Sequence, residues 1–126
     1  MRVLQIIEPA HRATIEEQDD TVLWFTRAIR GAGAAADVLL AGTAVCYAVR
    51  GQSCPALRVG DWEQKHPPAI EHELGRLIES GARVSALVED LDERGIDRRA
   101  LIKGLVITTR KDLPGLLGRY DRVWKW

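Results

Sequence analysis

The chain has 126 residues, the length of one domain, and 46% of them are hydrophobic, which is enough for a packed core. Eighteen basic and eighteen acidic side chains cancel, so the sequence lacks the charge that draws basic proteins to nucleic acid or to an anionic membrane. No apolar run approaches the ~20 residues of a membrane span, and the first apolar run is too short for a signal peptide. We therefore expect a cytoplasmic protein whose partners include neither nucleic acid nor membrane. Zero net charge also favours association between copies.

Strands and helices alternate in the first half of the chain. Strands are predicted from short apolar runs, and the first helix from an apolar stripe that begins at a capping box. The first predicted element is a strand at Val3–Ile7. A helix follows, which is begun by Thr14 and Glu17, ended by Gly31 and Gly33, and carries the apolar stripe Ile15, Val22, Phe25 and Ile29. Next come a strand at Ala36–Leu40 and a short helix at Ala44–Arg50 capped by Thr43.

The second half repeats this alternation after an irregular segment, Gln52–Lys65. The predicted elements are a helix opened by Pro67 and Pro68 and ended by Gly81, a strand at Val84–Val88, an acidic turn at Glu89–Glu93, a short helix from its cap Asp97 through Lys103, a strand at Leu105–Thr109, a helix started by Asp112 and Pro114, and a closing strand at Asp121–Trp126. Trp124 and Trp126 share one face of the closing strand, so we expect them to pack on a helix or on another subunit.

Alternating strands and helices predict right-handed βαβ crossovers. The fold class is therefore α/β, a three-layer α/β/α sandwich with a mainly parallel five-stranded sheet, and residues 1–126 form one domain. Sites in such sheets form beyond the carboxyl ends of the strands. The turns near residues 8, 43 and 89 should accordingly lie along one rim.

Two cysteines are candidate nucleophiles. If Thr43 caps its helix, Cys46 lies in the first turn, where the helix dipole favours the thiolate. The alternative is a small buried side chain, since free cysteine is among the most buried residue types. Cys54 precedes Pro55 in the irregular segment and is expected to be exposed, and a Cys46–Cys54 redox pair is a further alternative.

Charged side chains follow two of the predicted strands. Glu8 and His11 follow the first, and Glu89 and Asp90 follow the third. Together with Thr43 they are the candidate binding residues of the rim. Carboxylates beside an imidazole can bind a divalent metal or transfer protons. The non-functional alternative is a solvated loop in which Glu or Asp caps the next helix. No metal-ligand signature, phosphate loop or dinucleotide loop is present, so we predict no metal and no cofactor.

Three segments give the sequence a family resemblance. They are Leu39–Ala48 (L-L-A-G-T-A-V-C-Y-A), Gly81–Ile96 (G-A-R-V-S-A-L-V-E-D-L-D-E-R-G-I) and Leu116–Trp124 (L-L-G-R-Y-D-R-V-W). In order and spacing they resemble the DsrE/DsrF/DsrH superfamily, which includes the TusB, TusC and TusD sulfur-relay subunits.

The resemblance implies a parallel α/β sandwich that assembles as a homo-oligomer (dimer, trimer or hexamer) or with related subunits. It also implies a role in carrying sulfane sulfur between a donor and an acceptor protein. One branch of the superfamily carries a persulfide on a cysteine after the third strand, whereas the matching positions here, Val88 to Leu91, hold no cysteine. The first hypothesis is therefore sulfur relay, with Cys46 as acceptor, or an accessory role in such a complex. The alternatives are a non-catalytic small-ligand-binding module and, more weakly, a metal-assisted enzyme using Glu8, His11 and Glu89.

Overall fold

A computed structural model describes residues 1–11 and 20–126 of the chain. Its strands are β1 (Arg2–Ile7), β2 (Ala35–Leu40), β3 (Arg58–Val59), β4 (Trp62–Glu63), β5 (Val84–Leu87), β6 (Val106–Thr108) and β7 (Arg122–Lys125). Its α-helices are α1 (Thr21–Gly31), α2 (Ile70–Glu79), α3 (Val88–Glu93) and α4 (Leu113–Leu117), with 3₁₀ turns at Gly42–Ala48, Arg98–Ala100 and Arg110–Asp112. None of the helices in the described ranges has both the length and the apolar character that a membrane span requires.

Five strands pair in the order β6–β5–β2–β1–β7, and every pairing between them is parallel. The register of the central pair runs from Arg2 opposite Ala35 to Ile7 opposite Leu40. β3 and β4 form a separate antiparallel hairpin within Gln52–Lys65, the segment for which the sequence predicts no regular structure. The predicted α/β class and five-stranded parallel sheet are thus confirmed.

The two faces of the sheet are covered unequally. On one face the strand residues Ile7, Val38, Leu40, Val84 and Ala86 pack against α1 and α2, chiefly through the buried side chains Val22, Leu23, Leu74 and Leu77. On the other face Leu4, Leu39 and Leu87 form a smaller cluster with Leu116 of the short helix α4. The main core therefore lies on the α1–α2 side, and the α4 side is thin.

The first described helix begins later than predicted. Asp20 is extended and caps α1, its Oδ1 accepting hydrogen bonds from the backbone N–H groups of Val22 at 2.8 Å and Leu23 at 3.4 Å. A continuous helix from Thr14 is therefore wrong at Asp20, because a helix cannot pass through an extended residue. The proposed capping box, Thr14 and Glu17, and the apolar residue Ile15 lie outside the described residues.

The acidic segment after β5 is a helix, which corrects the predicted turn. β5 ends at Leu87 rather than at Val88, and α3 takes Val88 to Glu93. Glu89 and Asp90 occupy the first turn of α3, where negative charge is favourable. An acidic run directly after an apolar run resembles a turn in sequence, whereas here it forms the first turn of a helix.

The sequence predicts that the closing strand packs on a helix or on another subunit, and in the structure it packs on the helix α1. The ring of Phe25 lies 6.0 Å from that of Trp124 and 6.2 Å from that of Trp126, between centroids. The indole Nε1 of Trp126 donates to Oε1 of the buried Gln5 at 2.7 Å. These contacts attach the edge strand β7 to the helix layer.

A hydrogen bond from Tyr120 links the thin face of the sheet to β2. The environment of Tyr120 also makes the free energy of unfolding depend on pH in the alkaline range. Its hydroxyl donates to Asp37 Oδ2 at 2.8 Å. Burial, followed by this hydrogen bond and the negative charge of Asp37, raises the pKa of Tyr120 to about 12. In the unfolded chain a tyrosine pKa is about 10, so the neutral phenol favours the folded state.

We predict that the stabilisation from Tyr120 is complete below about pH 10 and is lost as the pH rises towards about 12. Urea unfolding of the protein and of Tyr120→Phe should show a difference in free energy of unfolding that is constant at neutral pH and shrinks across this range. Other titrating groups are common to both proteins and cancel. A difference that does not change with alkaline pH would contradict the prediction.

Candidate functional site

The carboxyl ends of β1, β2 and β5 meet at one rim. The backbone carbonyl of Glu8 accepts hydrogen bonds from Thr43 Oγ1 at 3.2 Å and from the N–H of Ala44 at 2.9 Å. The N–H of Gly42 donates to Asp90 Oδ2 at 2.7 Å. The predicted gathering of the turns near residues 8, 43 and 89 is therefore what the structure shows.

Gly42 is required at this junction for two separate reasons. Its φ of +54° lies in the left-handed region that other residues rarely adopt. A Cβ at this position would also lie 2.9 Å from the carbonyl oxygen of Glu8, which is backbone and cannot move aside cheaply. The turn after β2 can therefore approach β1 only because residue 42 has no side chain.

The carboxylates of α3 hold neighbouring segments together. Asp90 is buried, and its Oδ1 accepts from Arg110 Nη2 at 2.7 Å while its Oδ2 accepts from Gly42. The carboxylate of Glu89 accepts from the N–H of Arg110, at 2.9 and 3.1 Å. Both predicted binding residues are thus already used as acceptors, and they connect the ends of β2 and β6 to α3.

Thr43 does not cap a helix. Its Oγ1 accepts from the N–H of Ala10 at 2.9 Å and donates to Glu8, so it fastens the turn after β1. The 3₁₀ turn Gly42–Ala48 begins after Ala41 and has no side-chain cap. Cys46 is therefore the fifth residue of a 3₁₀ turn and not part of the first turn of an α-helix, which removes the helix-dipole argument for its reactivity. Cys46 is half-buried.

A cavity that the sequence did not reveal opens beside this rim. It has a volume of about 620 Å³, and we call it the hairpin cavity because the segment leading into the β3–β4 hairpin lines it. Side chains that line it include Tyr47, Cys54, Leu57, Pro68, Ile70 and Glu71. His11 also lines it, with its ring edge-on to Tyr47 at 5.1 Å between centroids. The irregular composition of Gln52–Lys65 was the one sequence signal for this cavity.

Hydrogen bonds fasten the loop that encloses the cavity. Gln52 Nε2 donates to the carbonyls of Cys46 at 2.6 Å and Val49 at 2.8 Å. The N–H of Gly51 donates to Glu71 Oε2 on α2 at 2.6 Å. At the hairpin end, the N–H of Leu57 donates to Oε1 of the buried Gln64 at 3.2 Å. These hydrogen bonds hold the loop that bounds the cavity against α2, the 3₁₀ turn and the end of the hairpin.

The predicted cluster of Glu8, His11 and Glu89 does not form a metal centre. Lys125 Nζ lies 3.3 Å from Glu8 Oε1, Glu89 binds the backbone of Arg110, and His11 lines the hairpin cavity. Among residues 1–11 and 20–126, no group of three or more His, Cys, Asp or Glu side chains is placed to hold a metal ion. The weakest alternative, a metal-assisted enzyme, therefore has no geometric support in the described part of the chain.

Both cysteines are free thiols, so the redox pair is not formed in this structure. Cys54 is exposed, as expected, and its Sγ lies 3.8 Å from the carbonyl oxygen of Pro55. Of the two, Cys54 lines the hairpin cavity.

No protein-family model matches the sequence, and no curated protein matches it significantly. Solved structures do match. The ychN protein from E. coli superposes with a TM-score of 0.73 at 21% identity, covering 99% of this chain and 98% of that one. A protein of unknown function from Methanobacterium thermoautotrophicum, MTH1491, superposes with a TM-score of 0.66 at 14% identity over the same shares. The fold is therefore DsrE-like over almost the whole chain.

We predict that Asp90→Asn lowers the free energy of unfolding by about 1.5–3 kcal/mol, because a buried carboxylate with two charge-assisted hydrogen bonds is replaced by a neutral amide. Asp92→Asn is the matched control, since Asp92 lies on the same helix and is exposed. Its effect should stay within about 0.5 kcal/mol. Urea denaturation measures both, and equal losses in the two variants would contradict a structural role for Asp90.

Proposed function

We propose that this protein carries sulfane sulfur as a persulfide on a cysteine that faces the hairpin cavity. The observation that carries the proposal is an exposed free thiol, Cys54, on the wall of a cavity of about 620 Å³. The DsrE-like fold and the resemblance of three segments to the sulfur-relay superfamily support it.

Accessibility favours Cys54 over Cys46 as the sulfur acceptor. A reactive thiol must meet its partner, so exposure is the first requirement. Cys46, the acceptor that the sequence predicts, is half-buried in the 3₁₀ turn, whereas Cys54 is exposed. Cys54 is accordingly the first candidate, and Cys46 remains the second.

The transfer needs no oxidant. The thiolate of Cys54 attacks the outer sulfur of a donor persulfide, R–S–SH, and forms a new S–S bond. The donor's S–S bond breaks, and the donor leaves as the thiolate RS⁻. Delivery is the same exchange with the acceptor's thiolate as the attacking group. His11 lines the same cavity, and a neutral imidazole can accept the proton that the thiol loses.

We predict that the protein gains the mass of one sulfur atom on Cys54 after treatment with a low-molecular-weight persulfide and removal of the excess. Intact-mass spectrometry should show the same gain in Cys46→Ser and none in Cys54→Ser. The two serine variants are matched controls for each other, because each replaces one sulfur by oxygen and leaves the other thiol in place.

Two other results have distinct meanings. If the gain is lost in Cys46→Ser and kept in Cys54→Ser, sulfur carriage stands and the acceptor is the residue predicted from sequence. If the unaltered protein gains no sulfur, sulfur carriage is wrong.

The second candidate function is non-catalytic binding of a small, largely apolar molecule. It is favoured by the apolar side chains around the hairpin cavity, which include Pro55, Ala56, Leu57, Pro68 and Ile70. Cavities of this size in which apolar surface predominates, with polar side chains such as Gln52, Arg58 and Glu71 among it, are typical of small-molecule sites.

We predict that an uncharged environment-sensitive dye such as Nile red binds in the hairpin cavity, and that Ala56→Trp weakens this binding at least about tenfold by filling the space. Val59→Trp is the control, because Val59 is exposed on the same hairpin and does not line the cavity. Fluorescence titration measures the affinities. Equal affinity for both variants would place the dye elsewhere.

We also propose that the chain works as an oligomer of like or related subunits. The resemblance implies this, and zero net charge permits it. Large apolar side chains exposed on the described chain support it: Trp24, Leu57, Val59, Trp62, Ile107, Val123 and Trp126.

A further inference from the structure

We propose that a second site, on the thin face of the sheet, binds a tetrahedral oxyanion such as phosphate or sulfate. A groove of about 370 Å³ lies there between the end of β6 and α4, and we call it the α4 groove. Residues of both elements line it, Ile107 and Thr108 from β6 and Gly115 and Leu116 from α4. Neither the fold nor the proposed sulfur chemistry uses this groove.

The charge of the α4 groove is positive although the chain is neutral overall. Arg83, Lys111 and Arg119 line it, against one carboxylate, Asp112. No ion pair joins any of the three cations to a carboxylate of the described residues. Asp112 is itself an acceptor for Thr109 Oγ1 at 2.7 Å. The cations are thus available to an anion from solution.

Arg83 is the cation held most firmly in place. It is half-buried, its backbone N–H donates to Asp37 Oδ1 at 2.8 Å, and its Nε donates to Ser85 Oγ at 3.3 Å. Its two terminal nitrogens have no hydrogen-bond partner among residues 1–11 and 20–126. A guanidinium fixed through Nε presents its remaining donors as a fork, the geometry that suits oxyanions.

Thr108 supplies an independent observation. Thr108 is 5% exposed and lines the groove, yet its Oγ1 has no hydrogen-bond partner in the described structure. A buried hydroxyl without a partner is costly, and native proteins rarely keep one without a reason. Rotation of the Thr108 side chain about its Cα–Cβ bond would turn this hydroxyl into the groove, where an oxyanion would accept the hydrogen bond that it lacks.

These groups together select the chemical class of the ligand. The hydroxyl and the three cations are all donors, and none of the cations can accept a hydrogen bond, so the ligand must be an acceptor with negative charge. Phosphate and sulfate present four acceptor oxygens in a compact shape. The volume of the groove also allows a small organic group attached to the phosphate, so the free ion and a monoester are both tested.

The experiment titrates the protein with inorganic phosphate at constant ionic strength, with chloride as the balancing anion. Backbone amide shifts of Thr108, Lys111 and Gly115 in ¹H–¹⁵N spectra should change and saturate. The double variant Lys111→Gln/Arg119→Gln should bind at least about tenfold more weakly, because it loses two charge-assisted hydrogen bonds. The matched control Arg98→Gln/Lys103→Gln removes two exposed charges outside the groove and should bind as the unaltered protein does.

Thr108→Val separates binding from folding, since valine has nearly the same shape and lacks the hydroxyl. Without phosphate its stability should equal or exceed that of the unaltered protein, because an unpaired buried hydroxyl is removed. Its phosphate affinity should nevertheless fall several-fold. A purely structural hydroxyl would leave the affinity unchanged, and that result would contradict its part in the site.

Titration with methyl phosphate distinguishes a free oxyanion from a phosphorylated small molecule as the ligand. Tighter binding of methyl phosphate than of phosphate supports a phosphorylated small molecule, and equal binding supports the free oxyanion. The proposal is overturned if the unaltered protein shows no saturable shifts, or if both double variants weaken binding equally, which would mean general screening. None of these outcomes depends on the persulfide measurement.

Discussion

The close approach of two backbone turns is the constraint on which the rim of the sheet depends. Gly42 has to pass within contact of the carbonyl of Glu8, and the buried carboxylate of Asp90 then receives the N–H that this turn exposes. Asp90 also binds Arg110, so one side chain connects the ends of three strands. Without that connection the turn carrying Tyr47 and Cys46 would lose one of the hydrogen bonds that fix it against the sheet, and the wall that Tyr47 gives to the hairpin cavity would be held less firmly.

The unequal covering of the sheet gives its two faces different recesses. On the α1–α2 side the thick core supports a loop that encloses the hairpin cavity, with a thiol and an imidazole on its wall. On the α4 side a five-residue helix leaves a groove in which donors outnumber acceptors. The hairpin cavity, with its thiol, and the cationic α4 groove therefore lie on different faces of one small sheet. They differ because the helices that cover the two faces differ so much in length.

The sheet could be predicted from the sequence because its central strands are buried and carry apolar runs, as in Val38 to Leu40. The rim could be predicted for the same reason, since parallel strands carry their carboxyl ends to one edge. The predictions for single residues and short segments were wrong where tertiary contacts override the local preference of the sequence. Thr43 has the chemistry of a cap but finds the carbonyl of Glu8, and the acidic run after Leu87 coils into α3 because Gly42 and Arg110 need acceptors there. The hairpin cavity is made by segments far apart in the chain, so the irregular composition of Gln52–Lys65 could mark one of its walls but could not reveal the cavity itself.

Tyr47 belongs to the core and to the cavity at once. Its ring lines the recess, while its hydroxyl donates to the buried Asp20 at 2.6 Å, the residue that caps α1. Any exchange at position 47 would disturb the start of a core helix, so this side of the recess is not free to vary. Most of the opposite side comes from the loop 52–58, which is exposed almost throughout and anchored largely by hydrogen bonds. Substitutions in that loop can therefore change the lining of the recess while the sheet beneath it stays the same.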